Sequence, residues 1–278
     1  ENIELARDNF GTSDPSRTGA NLTSRENKVA IFIPGMGFNY TVNNVTSIFG
    51  GIHKGFSPPG NQAGQESEES INYELGSRFN INGLRGEVIG FYNDYSNLLG
   101  SDLAASGGTG SLEQFNAGEV QVKGIELLLN YDLLKNNASY ALPISFGYTF
   151  TDTAFLNSFG SDDGLWGEVN KGDELPYIAK HQFNTSITLE HARYEFSIGG
   201  RLNGAFKTIA SADSVNEDNG IQSNFIIDFS GKYHISKTVS LTSKIINALD
   251  KTYAVAKVPA GLRPGHPFGI YGGIEFKF

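Results

Sequence analysis

A side-chain period of two runs through this chain and restricts its fold more than any other feature. From residue 69 to 82, Ile71, Tyr73, Leu75, Phe79 and Ile81 alternate with Ser70, Asn72, Glu74, Arg78 and Asn80. Successive side chains of a strand point to opposite faces, so one side of this segment is apolar and the other is wet. The same split recurs. Phe183, Ile187 and Leu189 oppose Gln182, Asn184, Ser186, Thr188 and Glu190. Tyr194, Phe196, Ile198, Leu202 and Phe206 oppose Glu195, Ser197, Arg201, Asn203 and Lys207. Phe225, Ile227, Phe229, Tyr233 and Ile235 oppose Asn224, Asp228, Ser230, Lys232 and His234. At the end, Phe268, Ile270, Ile274, Phe276 and Phe278 oppose Tyr271, Glu275 and Lys277. No helical period competes.

Further strands read less cleanly over 34–42, 45–56, 84–97, 119–134, 142–155 and 238–253, giving roughly eleven in all. Many exceed the ~9–11 residues that a tilted strand needs to cross a bilayer. The connections alternate in length. Short ones fall at Asn43-Asn44, Asn82-Gly83, 135–141, Ala192-Arg193 and Ser236-Lys237; long ones span 57–68, 98–118, 156–179, 209–221 and 254–265. Asn-Gly is a two-residue hairpin signal. Alternating strands alone suit a soluble all-β protein as well as a membrane barrel. Short and long connections in turn are the habit of an up-and-down membrane barrel, with tight periplasmic turns and long extracellular loops. The expected fold class is therefore all-β, a transmembrane antiparallel up-and-down β-barrel.

Composition fits that reading and removes others. The 278 residues are rich in Gly (34), Phe (20) and Tyr (12), and only 18% are charged, too few for a disordered chain. Cys is absent, which excludes disulfides and Cys-based metal or nucleophile sites. A net charge of −9 without a Lys/Arg run argues against nucleic acid as a partner. No stretch approaches the ~18 apolar residues of a membrane helix, and the first ten residues lack the basic start and apolar centre of a signal peptide. No Gly-x-Ser-x-Gly elbow or His-Glu-x-x-His pair points to an enzyme, and no cofactor is implied.

Residues 1–33 read as polar loop, with Asp8, Asp14, Ser16, Asn21 and Ser24 breaking every apolar run before a strand remnant at 29–33. An odd number of strands and two bare edges are unusual for a barrel. The chain is therefore expected to be the C-terminal part of a larger one, with the missing strands upstream.

Two segments resemble a known family. One is Pro34-Gly-Met-Gly-Phe-Asn-Tyr40, a short turn, and Ile48-Phe-Gly-Gly-Ile-His-Lys-Gly-Phe-Ser-Pro-Pro59. The other is Asn247-Ala-Leu-Asp-Lys-Thr-Tyr253, then Pro259-Ala-Gly-Leu-Arg-Pro-Gly265 and a last strand ending on Phe278. Both resemble the C-terminal half of TonB-dependent outer-membrane receptors, closest in style to the ferric citrate branch. The resemblance covers most of residues 30–278. It implies a barrel of about 22 strands with a plugged lumen, of which this chain, residues 1–278, carries about half. It implies that residues 1–33 are mostly extracellular loop and that the plug domain and TonB box lie outside the chain. The partners it implies are a ferric chelate, the TonB complex reached through the missing N-terminal region, and the lipid of the Gram-negative outer membrane. Iron would arrive as chelated cargo, so no protein ligand set for the bare metal is expected.

Candidate ligand-binding residues follow from charge and position, each with a plainer reading beside it. His53 and Lys54 could form part of an anion-attracting rim, or mark a strand end set by Gly55 and Pro58-Pro59. Arg78, Arg201, Lys207 and Lys232 fall on the wet face. They could line a basic cavity for a negatively charged chelate, or pair with Glu74, Glu195 and Asp228. Of these, Arg201 and Lys207 lie nearest the extracellular end. Arg263 and His266 flank the last long loop, where Arg263 could serve barrel closure as well as ligand contact. Asp162, Asp163, Glu168, Asp173 and Glu174 form an acidic loop that could hold a hard cation or remain a solvated surface; Trp166 and Tyr177 could pack on a ligand or sit at the membrane interface. A passive porin or adhesin barrel is the competing function, and a soluble all-β binding protein a third.

Overall fold

The computed structural model describes residues 2–10, 22–58, 66–101, 114–160, 168–257 and 261–277. Eleven long strands follow one another in space as in sequence: β1 (Gly35–Asn43), β2 (Thr46–Ser57), β3 (Glu68–Ile81), β4 (Leu84–Ser96), β5 (Val120–Asp132), β6 (Pro143–Phe155), β7 (His181–His191), β8 (Tyr194–Asn203), β9 (Asn224–His234), β10 (Val239–Ile246) and β11 (Gly269–Phe276). Every neighbouring pair is antiparallel. A two-residue piece, Tyr140–Ala141, also pairs with β7. Among the described strands, β1 and β11 each have a single neighbour, so the sheet is an open arc rather than a closed cylinder.

Register carries the two-faced pattern from strand to strand, since paired residues lie on the same face of a sheet. One row runs Ile144, Ile187, Ile198, Phe229, Ile245, Ile270 across β6 to β11. Another runs Phe38, Gly50, Leu75, Gly90, Ile125, Phe150 across β1 to β6. Among the described residues nothing is folded onto these rows: Leu75 is 61% exposed and Ile270 66%. The buried apolar side chains among the described residues lie elsewhere. Phe49, Val120, Phe155 and Ile226 are on the opposite face, and Ala117, Val169, Ala179, Phe206, Ala210 and Ile221 are in or beside the long connections. A soluble sandwich would bury its apolar rows in a dry centre. This sheet turns them outward, the arrangement suited to lipid.

The turns follow local chemistry. Asn82 and Gly83 both take positive φ (52° and 88°), the left-handed pair that a two-residue hairpin demands. Four long connections carry short ladders of their own: Leu99–Ser101 with Gln114–Asn116, Phe159–Gly160 with Glu168–Val169, Phe206–Lys207 with Gly220–Ile221, and Ala254–Ala256 with Arg263–Pro264.

Three expectations need correction. Within residues 1–33, where polar loop is expected, the described segments Asn2–Phe10 and Leu22–Ala30 are strands that pair over nine positions apart from the main sheet, and residues 31–33 are irregular. Charged residues at both parities blur the alternation there. The strand expected over 193–207 breaks after Asn203, and its last two residues belong to a ladder in the connection. The strand expected over 238–253 stops at Ile246, because Asn247 takes φ 50° and turns the chain. Phe278, expected in the outward row, lies outside the described residues, as do Pro59, Asp162, Asp163, Trp166 and Pro259.

Candidate functional site

The face opposite the apolar rows is polar and internally paired. Arg78 meets Glu87 and lies over the Phe49 ring, 4.0 Å from its centroid. Arg201 meets Asp228 at 3.1 Å, and Lys232 meets Glu275 at 2.9 Å. His234 stands 3.7 Å from Glu195. Ser145 donates to Asn130 at 2.7 Å, and Thr188 and Ser197 share a hydrogen bond of the same length. Glycines make room for the few aromatics here: a Cβ on Gly76 would stand 2.4 Å from Phe49, so Gly is the residue that lets this ring lie flat on the wall.

At the end carrying the long connections, distant parts of the chain are tied into one layer. Val120, Phe155, Val169 and Ala210 form an apolar cluster, joined by Tyr95, Leu98, Val122, Phe159 and Leu175. Ala179, Phe206 and Ile221 form a second, joined by Tyr177 and Ala254. Between them runs a charge relay. Glu174 meets Lys180 at 2.9 Å and Lys207 at 3.1 Å, and Asp152 meets Lys180 at 3.3 Å and Lys123 at 3.6 Å. The hydrogen bond to Glu174 raises the Lys180 ammonium above the ordinary lysine range; the charges of Glu174 and Asp152 add to it and outweigh the opposing cost of burial. Lys257 holds the carbonyls of Glu217 and Asp218, while its backbone N–H donates to the Tyr177 hydroxyl at 3.3 Å.

Five of the candidate residues, His53, Lys54, Arg201, Lys207 and Arg263, do not converge on one spot. His53 and Lys54, as neighbours in a strand, point to opposite faces. His53 shares the polar face through its pairing with Asn72, and Lys54 turns to the apolar side, where it meets Glu69 at 2.7 Å. Arg201 sits on the polar wall of β8, paired with Asp228. Lys207 is only 3% exposed, donates to the Ser211 carbonyl at 2.6 Å and faces Glu174. Its charge is spent inside the loop layer. Arg263 is exposed on the short ladder that closes the last connection. Of the acidic loop, Asp173 is buried and accepts from the Asn170 N–H at 2.8 Å, and Glu174 is committed to two lysines.

The second motif has a clear structural role. The Asn247 side chain is fully buried. Its Nδ2 donates to the carbonyls of Lys251 (2.9 Å) and His266 (3.0 Å), and its Oδ1 accepts from the Lys251 N–H (2.9 Å). Its own N–H donates to Asp228 at 2.8 Å, so the carboxylate that holds Arg201 also fixes the motif. Asp250 accepts from the Phe268 N–H at 3.3 Å, and a Cβ on Gly265 would stand 2.0 Å from the Tyr253 ring. The motif thus pins the start of the last strand to the end of the one before it.

The sequence matches the TonB dependent receptor-like β-barrel family over residues 4–248. The chain belongs to that family. It is 26% identical over 269 residues to the ferric-pyoverdine BN7/BN8 receptor of Pseudomonas putida, covering 94% of this chain and 29% of that receptor. Solved structures share the fold: the siderophore receptor PiuA from Acinetobacter baumannii, with a TM-score of 0.75 at 18% identity over 99% of this chain and 39% of PiuA, and the ferric yersiniabactin uptake receptor FyuA from Yersinia pestis, with 0.69 at 16% over 93% and 39%. The chain thus spans less than half the length of each of these relatives. As a TonB-dependent receptor barrel segment it has its outward apolar rows and polar wall in the arrangement that the sequence predicts.

Proposed function

We propose that this chain forms part of the wall and extracellular loops of an outer-membrane receptor that imports a ferric chelate, coupled to TonB through regions outside the chain. The observation that carries the reading is the two-faced sheet: apolar rows exposed outward across eleven strands, a polar paired wall behind them, and a tied loop layer at the end of the long connections. A membrane face and a watery bore in one sheet suit a transporter wall. The loop layer supplies a preformed surface at the mouth, and little ordering entropy is then left for the ligand to offset. The relatives' names span more than one siderophore, which supports a ferric chelate as the cargo class, with ferric citrate as one member to be tried. Iron is cargo here, held by its chelator and not by a resident protein site. The test is uptake of iron-labelled chelates by cells carrying the full-length gene against a deletion strain. Chelate-dependent uptake that vanishes with the gene and with TonB supports the reading. Uptake that persists without TonB indicates a passive porin.

A further inference from the structure

We infer that Lys244, with Ser230 and Tyr271 beside it, is an anion-receiving station in the bore wall that engages negatively charged chelates; the inference rests on the transport reading above. Register sets these groups in one line. Thr188 pairs with Ser197, Ser197 with Ser230, Ser230 with Lys244, and Lys244 with Tyr271. Paired residues share a face, so four hydroxyls and one ammonium form a continuous row across β7 to β11 on the polar side. Thr188 and Ser197 already satisfy one another at 2.7 Å. Arg78, Arg201 and Lys232 on this wall each meet a carboxylate, while Lys244, like Arg85 beside the Asn82-Gly83 turn, meets none among the described residues.

The surroundings keep that ammonium open. Along β11, the bore-facing neighbours of Tyr271 are Gly269 and Gly273, which raise no side chain beside it. A cavity of about 440 Å³ opens here, lined by Ser197, Ser230, Thr242, Lys244 and Tyr271 and, towards the short turns, by Glu195 and Lys232. By register the nearest acid is Asp228, one step towards the long connections and already held by Arg201 and the Asn247 N–H; Glu195, one step towards the short turns, and Glu275, two steps, face His234 and Lys232. Tyr271 is held from the other side, its hydroxyl 2.9 Å from His266 Nε2 in the last long connection. Lys244 stands two residues from the end of β10 that leads into that connection, the side from which a ligand would descend. An unpaired ammonium flanked by hydroxyls receives a compact oxygen-rich anion; a neutral chelate gains only hydrogen bonds there.

The test uses purified full-length receptor and a panel of three probes: ferric citrate, an anionic ferric tris-catecholate and a neutral ferric tris-hydroxamate. Equilibrium binding is measured for wild type, Lys244→Gln, Lys244→Arg, Tyr271→Phe and, as a control at the short-turn end, Lys237→Gln. Lys244→Gln is expected to weaken whichever anionic probe binds by about tenfold, the loss of one charge-assisted hydrogen bond. The neutral probe should change less than twofold, Lys244→Arg should restore most of the loss, and Lys237→Gln should be silent. Equal weakening of anionic and neutral probes, or no change in either, overturns the inference and leaves the transport reading intact. A shift in melting temperature without a change in selectivity also overturns it, because Lys244 would then serve an acidic group elsewhere in the receptor. A wild-type receptor that binds none of the three chelates counts against both.

Discussion

Replacing Asn247 with Ala removes one small amide and should loosen the whole connection between β10 and β11. The Asn247 side chain is fully buried and makes three hydrogen bonds, two donated to the carbonyls of Lys251 and His266 and one accepted from the Lys251 N–H. Its φ of 50° suits Asn and penalises Ala. Three buried hydrogen bonds at a net ~1 kcal/mol each and ~1 kcal/mol for a left-handed Ala amount to about 4 kcal/mol, roughly a thousandfold in a local opening equilibrium. Hydrogen exchange of the Lys251 and Phe268 amides in the full-length receptor reads this directly, since both amides are held by the motif. Asn247→Gly separates the two contributions. It loses the hydrogen bonds but keeps the backbone relaxed, so it should recover about 1 kcal/mol relative to Ala. Exchange in Asn247→Ala within a factor of three of wild type, or Asn247→Gly as protected as wild type, would refute this account of the motif.

Other consequences follow from the same contacts. Gly265→Ala should cost about 1–3 kcal/mol through its collision with the Tyr253 ring, and shortening that ring to Leu should restore thermal stability. Glu174→Gln leaves the buried Lys207 without its carboxylate; a loss of about 3 kcal/mol from the loop layer is expected, seen as faster trypsin cleavage at Lys171 and Lys180 with the strands intact. Lys180 has a pKa raised in the fold above its ordinary 10.5, so its contribution is fully present below that value and is lost only as pH rises through the folded pKa. Loop protection should therefore hold at neutral pH and fall only in strong alkali, and Lys180→Met should remove that alkaline step.

The strands were legible because a sheet with one oily and one wet face has a period of two, clear in five of them and weaker in six; all eleven appear, though those expected over 193–207 and 238–253 end early, at Asn203 and Ile246. The paired segments Asn2–Phe10 and Leu22–Ala30 were not, since charged residues fall at both parities of their sequence and blur the alternation. Pairing on the wall was partly legible. Arg201 and Asp228 are the cross-strand alternative that the wet-face charges suggested. Burial of Lys207 was not, because it depends on Glu174 and Ser211, brought in by two different connections. The Asn247 segment stood out as a motif, but its purpose became readable only when Lys251 and His266 were seen on either side of one amide. Lys244 was hidden in a strand whose polar parity is Ser240, Thr242 and Lys244 and whose outward parity includes Ser243, too weak an alternation to single it out.

Residues 1–278 hold no cysteine, so single cysteines placed among them, with any cysteine elsewhere in the full-length receptor replaced, can be spin-labelled in bilayers. At Ile187, Ile198, Phe229 and Ile245 the label should relax with dissolved oxygen and ignore a water-soluble nickel chelate; at Thr188, Ser197 and Ser230 the order should reverse. Labels at the first set that meet neither quencher, or meet nickel first, would mean that those rows face a protein interior or water and not lipid.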